Sequence, residues 1–153
     1  MEVIGQEKIN NQLNISPYVD EVRRLLEERL ANILSKGETS QNIQEHFNEI
    51  KSTTEQIIRI VKNTQNSDDL MIVADFITYL ESHGVRVGDL KWQLRNIQVD
   101  VLYQFAEKFF ERVKITKGFY DIHLFRTVLE HIENKGVSVD YMQSMLYMHL
   151  DSD

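Results

Sequence analysis

The sequence predicts an all-α bundle of about six helices, and three observations support that fold class. Apolar residues recur at spacings of three and four along most of the chain, the pattern of helices with one buried face. The 153 residues include one proline and six glycines, fewer turn residues than a β-sheet protein needs. Hydrophobic residues make up 42% and charged residues 27%, a balance typical of a globular chain.

The domain is predicted to begin where the helical pattern becomes regular. Residues 1–15 carry weak periodicity and are predicted to form a leading arm or a short helix, whereas residues 16–153 form a single domain. Ser16-Pro17 begins the first main helix, because a hydroxyl cap followed by proline at the first helical position is a start signal. Lys36-Gly37 ends that helix.

The second and third helices have clear caps, but the second is interrupted by polar residues. Thr39 or Ser40 caps the second helix. Its middle contains Lys51-Ser52-Thr53-Thr54, and we expect a bend or a break there because Ser and Thr hydroxyls compete for backbone hydrogen bonds. Ser67-Asp68-Asp69 opens the third helix, with acidic residues at its positive end.

A long central helix is predicted near residues 89–114. Gly84 ends the preceding helix and Gly88 or Asp89 caps the new one. At 1.5 Å per residue the predicted helix would be about 39 Å long. Its main apolar stripe consists of Leu90, Leu94, Ile97, Val101, Phe105, Phe109 and Val113. Thr116-Lys117-Gly118 then breaks the pattern; a fifth helix follows to Lys135-Gly136, and Ser138 caps the last one.

Charge and composition exclude several classes of protein. The net charge of −7 and the pI near 5.2 argue against nucleic-acid binding, which requires a basic surface. No run of eighteen apolar residues occurs and the first residues lack a secretory signal pattern, so we expect no membrane insertion. Without cysteine, disulfides and thiolate metal sites are excluded, which suits the cytoplasm.

The sequence contains no recognisable catalytic constellation. It has no phosphate-binding glycine loop, no nucleophile elbow and no His-Glu-x-x-His motif. The five histidines never pair at i, i+3 or i, i+4, so no helical metal face is encoded locally. We therefore expect no enzymatic activity, no catalytic residues and no metal site.

Aromatic residues concentrate in the three middle helices and allow two interpretations. Ordinary core packing accounts for them, and an apolar ligand tunnel is the alternative. Arg95 follows Trp92 at i+3, so the pair could hold an anion or a carboxylate head group at a tunnel mouth, or Trp92 packs while Arg95 reaches water. The candidate ligand-binding residues are Phe76, Tyr79, His83, Trp92, Arg95, Tyr103 and Phe125.

The corner before the predicted central helix resembles that of a known sensor family. It reads Gly84-Val85-x-Val87-x-Asp89-Leu90-x-x-x-Leu94-Arg95 and precedes an aromatic-rich segment. The pattern is similar to the N-terminal domains of stressosome co-antagonist proteins, which are non-haem globins. From about Pro17 onward, the chain resembles still more closely the sensor domains of sporulation histidine kinases and their stand-alone, plasmid-encoded homologues that inhibit sporulation.

The resemblance implies a globin-like helical fold without haem, a homodimer, and an apolar cavity that takes a fatty acid, with a halide such as chloride nearby. It transfers no catalytic residue and no secure pocket position. The chain is then expected to inhibit sporulation signalling by competing for the signal of a sensor histidine kinase or by pairing with that kinase. The alternatives are a helical adaptor with a packed core that binds a partner protein, and a haem globin that uses His83.

Overall fold

The computed structural model describes residues 13–151, and within that range the fold is a bundle of α-helices without β-strands. The predicted all-α class is confirmed. The chain outside this range includes most of the predicted leading arm, so the prediction for residues 1–12 falls outside the described residues. Seven α-helices are described: α1 Pro17–Ser35, α2 Ser40–Thr64, α3 Asp69–Ser82, α4 Gly88–Gln93, α5 Val99–Thr116, α6 Phe119–Asn134 and α7 Asp140–Asp151.

The second helix is continuous through the polar residues in its middle. α2 runs from Ser40 to Thr64, so a break at residues 51–54 is wrong, and a bend there stays a prediction. The Thr54 hydroxyl donates to the Ile50 carbonyl at 2.7 Å, one turn back, and the Thr53 hydroxyl accepts from Arg29 at 3.1 Å. Both hydroxyls are therefore satisfied without taking a helical hydrogen bond from the backbone.

The predicted helix over residues 89–114 is wrong, because the chain turns in its middle. α4 passes into a 3₁₀ turn at Leu94–Asn96, and α5 begins at Val99 after Ile97 adopts an extended conformation (ψ 144°). Two side chains, from α6 and its C-cap, hydrogen-bond carbonyls at this turn. His131 Nε2 donates to the Lys91 carbonyl at 2.9 Å, which also accepts the Leu94 N–H, and Lys135 Nζ donates to the Ile97 carbonyl. Tertiary contacts thus stabilise the break.

The central element of the bundle is α3, a shorter helix than the one predicted for that position. Eleven of its fourteen residues are buried, and it contacts α2, α5 and α6. Its sequence, Asp69-Leu-Met-Ile-Val-Ala-Asp-Phe-Ile-Thr-Tyr-Leu-Glu-Ser82, is apolar around most of the helix, as expected of a helix covered on several sides. Gly84, at φ +79°, ends it in the left-handed conformation, as the sequence predicts.

Aromatic side chains fill the layer between α5 and α6. Phe105 and Phe109 stack with ring centroids 5.2 Å apart, and Phe110 and Phe125 stack at 5.3 Å. Phe105, Phe109 and Phe125 are almost completely buried. No helix in the described residues is long and apolar enough to span a lipid bilayer.

The aromatic layer yields a stability prediction with a matched control on the same helix. Phe109→Ala should lower the free energy of unfolding by about 3–5 kcal/mol, because it removes a fully buried ring and leaves a cavity. Ile115→Ala should change it by about 0.5 kcal/mol or less, since that side chain is 84% exposed. Urea unfolding measures both. Equal losses would contradict the assignment of the core.

Candidate functional site

The most promising site is a cleft between α3 and α5. Its volume is about 530 Å³, within the usual range of small-molecule pockets. The α5 residues on its wall recur at spacings of three and four, because the cleft runs along one face of that helix. The lining residues are Leu13, Asp68, Met71, Lys108, Glu111, Arg112, Ile115 and Thr116. Leu13, Met71 and Ile115 supply an apolar surface with cations beside it.

One cation of the cleft is accessible and held by a single carboxylate. Lys108 forms an ion pair with Asp68, and the lysine side chain is 45% exposed. The Asp68 carboxylate also accepts the backbone N–H of Asn14 at 2.8 Å, which fixes the chain just before α1. Because an ammonium has three N–H donors, the accessible Lys108 can bind an incoming anion and keep Asp68, whose side chain is only 11% exposed.

The second cation of the cleft, Arg112, is buried and forms ion pairs with two carboxylates. Arg112 pairs with Asp75, and it donates to Asp121 through Nη2 at 3.1 Å and Nε at 3.3 Å. The Thr116 hydroxyl donates to Asp121 at 3.0 Å. Burial raises the pKa of Asp75 to about 6, although the Arg112 charge opposes that rise. Arg112 therefore ties α3, α5 and α6 together and forms a fixed wall of the cleft.

Two of the residues predicted from the sequence lie in the core. Phe76 on α3 and Phe125 on α6 are both almost completely buried and belong to the same hydrophobic cluster. Core packing, one of the two interpretations of the aromatic residues, accounts for both positions.

Two other predicted residues, Tyr79 and His83, meet at the end of α3. The structure adds His46, which the sequence analysis did not select. The rings of Tyr79 and His83 lie 4.4 Å apart between centroids. His46 of α2 joins them through its Nε2, 3.3 Å from the Tyr79 hydroxyl, while its Nδ1 is buried without a hydrogen-bond partner. Burial, and secondarily the nearby His83, lowers the pKa of His46. This arrangement disfavours the charged form of the imidazole that lies between α2 and α3.

The remaining predicted residues lie elsewhere. The Arg95 guanidinium stands 4.4 Å from the centroid of the Trp92 ring, so the predicted pair forms. Tyr103 lines a separate pocket of about 380 Å³ with Val99 and Val137. The seven predicted residues thus occupy the core, two surface clusters and a side pocket, and none of them lines the α3–α5 cleft.

The residues of the cleft carried only a weak signal in the sequence. Lys108, Arg112 and Ile115 share one face of α5, but their pattern is equally typical of a solvated helix face. Only the placement of α3 against that face creates a concave surface. Within residues 13–151, no group of three or more His, Asp or Glu side chains could hold a metal ion.

The buried Asp75 makes stability depend on pH. In the folded state the Asp75 carboxyl keeps its proton up to about pH 6, whereas in the unfolded state it loses the proton near the ordinary pKa of 3.8. The contribution of Asp75 to the free energy of unfolding therefore declines as pH rises through that window. Between about pH 4.5 and 7.5, the stability of the wild type relative to Asp75→Asn should fall by about 2 kcal/mol.

Urea unfolding at the two pH values measures this change. Thr78→Val, a substitution without an ionisable group one turn along α3, should show a constant difference from the wild type. A constant difference for Asp75→Asn as well would contradict the raised pKa.

The chain matches no protein-family model, no curated protein and no solved structure.

Proposed function

We propose that this protein is a stand-alone sensor domain that binds a fatty acid in the α3–α5 cleft. The observation that carries the proposal is the pairing of an apolar cleft of about 530 Å³ with an accessible lysine at its rim. An amphipathic carboxylate matches both features, because its chain removes apolar surface from water and its head group binds the Lys108 ammonium beside Asp68.

The two cations would take different roles in binding. Lys108 receives the ligand carboxylate, since it is accessible and holds only one carboxylate partner. Arg112 stays with Asp75 and Asp121, because removing it would leave two buried carboxylates without a counter-charge. Met71 and Ile115 flank the alkyl chain. The site differs from the Trp92–Arg95 mouth that the sequence suggested, and a halide near the ligand stays a prediction.

The biological consequence follows from the resemblance. A free-standing sensor domain in the cytoplasm would bind the fatty-acid signal of a sporulation histidine kinase, or it would pair with the kinase itself. Either route lowers kinase signalling by shifting the kinase population between its signalling states. Exposed side chains of α7, namely Tyr141, Tyr147 and Met148, offer a surface for the expected homodimer.

A second candidate function is a helical adaptor that binds a partner protein and no small molecule. The aromatic core favours it, because Phe76, Phe105, Phe109 and Phe125 are packed without exposure. Under this alternative the exposed α7 side chains would contact the partner. Fatty-acid binding separates the two candidates.

The cleft predicts which substitutions weaken fatty-acid binding. Lys108→Gln should lower the affinity for tetradecanoate about tenfold, because the carboxylate loses a charged hydrogen-bond donor. Lys51→Gln on α2 removes the same charge away from the cleft and should leave the affinity unchanged. Isothermal titration calorimetry measures both, and Met71→Trp, which fills the cleft, should abolish binding. Full affinity in Met71→Trp would place the ligand elsewhere.

Spore counts test the cellular half of the proposal. Overproduction of the wild-type chain in a spore-forming bacterium should lower the yield of heat-resistant spores. If the chain holds the signal, Met71→Trp should restore the yield, whereas pairing with the kinase would let the variant inhibit as strongly as the wild type. Unchanged spore yield with the wild-type chain would contradict any role in sporulation signalling.

A further inference from the structure

The Trp92–Arg95 pair lies outside the cleft and has no role in the proposed ligand site. Trp92, the only tryptophan of the sequence, is 61% exposed at the end of α4. The Arg95 guanidinium covers the ring at 4.4 Å, a distance at which cation–π attraction holds it in place. An exposed indole with a positioned guanidinium is unusual surface for a protein of net charge −7.

Contacts between α4 and α6 hold the Trp92–Arg95 pair in place. The imidazole of His131 meets the Trp92 ring edge-on at 6.4 Å, and its Nε2 donates to the Lys91 carbonyl at 2.9 Å. Leu90 and Leu94 are buried beneath the turn. Because α6 anchors α4 in this way, the ring and the guanidinium are already positioned before any partner arrives, which reduces the entropy lost on binding.

A second cation, Lys135 at the end of α6, lies at the turn that follows Arg95, since its Nζ donates to the Ile97 carbonyl two residues further along. Partial burial, and secondarily the positive charge of Arg95, lowers the pKa of Lys135. Among residues 13–151, neither cation forms an ion pair with a carboxylate. Arg95 therefore covers an exposed aromatic ring, and the Lys135 ammonium is held at the same turn, so carboxylates bound there can pair with both cations.

We propose that Trp92, Arg95 and Lys135 form a docking surface for an acidic segment of a partner protein. Carboxylates of the segment pair with Arg95 and Lys135, and a neighbouring apolar side chain covers the exposed part of the indole. Tryptophan and arginine are the residues that most often dominate the energy of protein interfaces.

The charge of the whole chain decides between an acidic segment and a nucleic acid. Screening at physiological salt limits electrostatic effects to about 8 Å, so a short acidic segment experiences mainly the local patch. An extended polyanion such as DNA would continue beyond the patch onto a protein surface with excess negative charge. This inference is independent of the ligand in the α3–α5 cleft.

The single tryptophan makes the patch directly observable. The probe is a fluorescein-labelled peptide of alternating Glu and Leu residues, titrated with the full chain and followed by anisotropy, while an unlabelled copy is followed by Trp92 emission. Both signals should saturate together. Arg95→Gln and Lys135→Gln should each weaken binding about tenfold. Arg126→Gln is the matched control, because that guanidinium also covers an aromatic ring, Tyr147 at 5.9 Å, on another surface.

Four results would overturn the proposal. They are the absence of saturable peptide binding, an equal loss of affinity in Arg126→Gln, the same change in Trp92 emission with acetate or chloride at the peptide concentration, and tighter binding of duplex DNA than of the peptide. Circular dichroism verifies that each variant is folded, and the independent Lys135→Gln variant keeps the test decisive if Arg95→Gln unfolds. Fatty-acid affinity should be unaffected in all three variants, which separates this surface from the cleft.

Discussion

The burial of α3 on several sides is the constraint on which the rest of the structure depends. Covering this helix requires α2, α5 and α6, and it also requires partners for the two acidic side chains that α3 carries into the interior. Ser16 supplies one partner, since its backbone N–H and its hydroxyl bind Asp69 at 2.8 and 2.6 Å. Arg112 supplies the other by binding Asp75. Hydrogen bonding of the two carboxylates therefore fixes both the start of α1 and the position of α5.

The α3–α5 cleft is a consequence of that arrangement. Arg112 reaches across from α5 to Asp75 and Asp121, and this pairing joins the helices at a point beside the cleft. Lys108, one turn earlier on α5, remains at the rim with Asp68. A fixed buried cation thus maintains the shape of the cleft while an exposed cation can accept a second partner. That division of roles is what a site needs to bind an anionic amphiphile without disturbing the core.

The sequence was informative about local structure and much less so about tertiary contacts. Caps and stops such as Pro17, Gly37 and Gly84 predicted helix boundaries well, because their effects are local. The break at residues 94–98 could not be predicted, since the groups that hydrogen-bond the carbonyls of this turn, His131 and Lys135, lie about forty residues further along the chain. The sequence pattern assigned the central position to residues 89–114, whereas the structure gives it to α3, whose burial depends on contacts with three other helices.

In the candidate sites too, the sequence predicted contacts within one helix but not contacts between elements. Trp92 and Arg95 are adjacent on one helical turn, and the structure brings them together as the spacing predicted. The lining of the cleft comes from the chain before α1, from α3 and from α5, so no spacing within one segment could reveal it. In the sequence, Lys108 and Arg112 also have the pattern of a solvated helix face, and only the fold places the apolar Met71 of α3 in the same cleft.

The most direct test of the central claim is photo-crosslinking with a fatty acid that carries a diazirine at the end of its alkyl chain, followed by mass spectrometry of the labelled peptides. Binding in the cleft predicts labels on Leu13, Met71 or Ile115 that excess tetradecanoate removes. Labels confined to the core around Phe76 and Phe125, or no label that competes with tetradecanoate, would contradict the cleft as the ligand site.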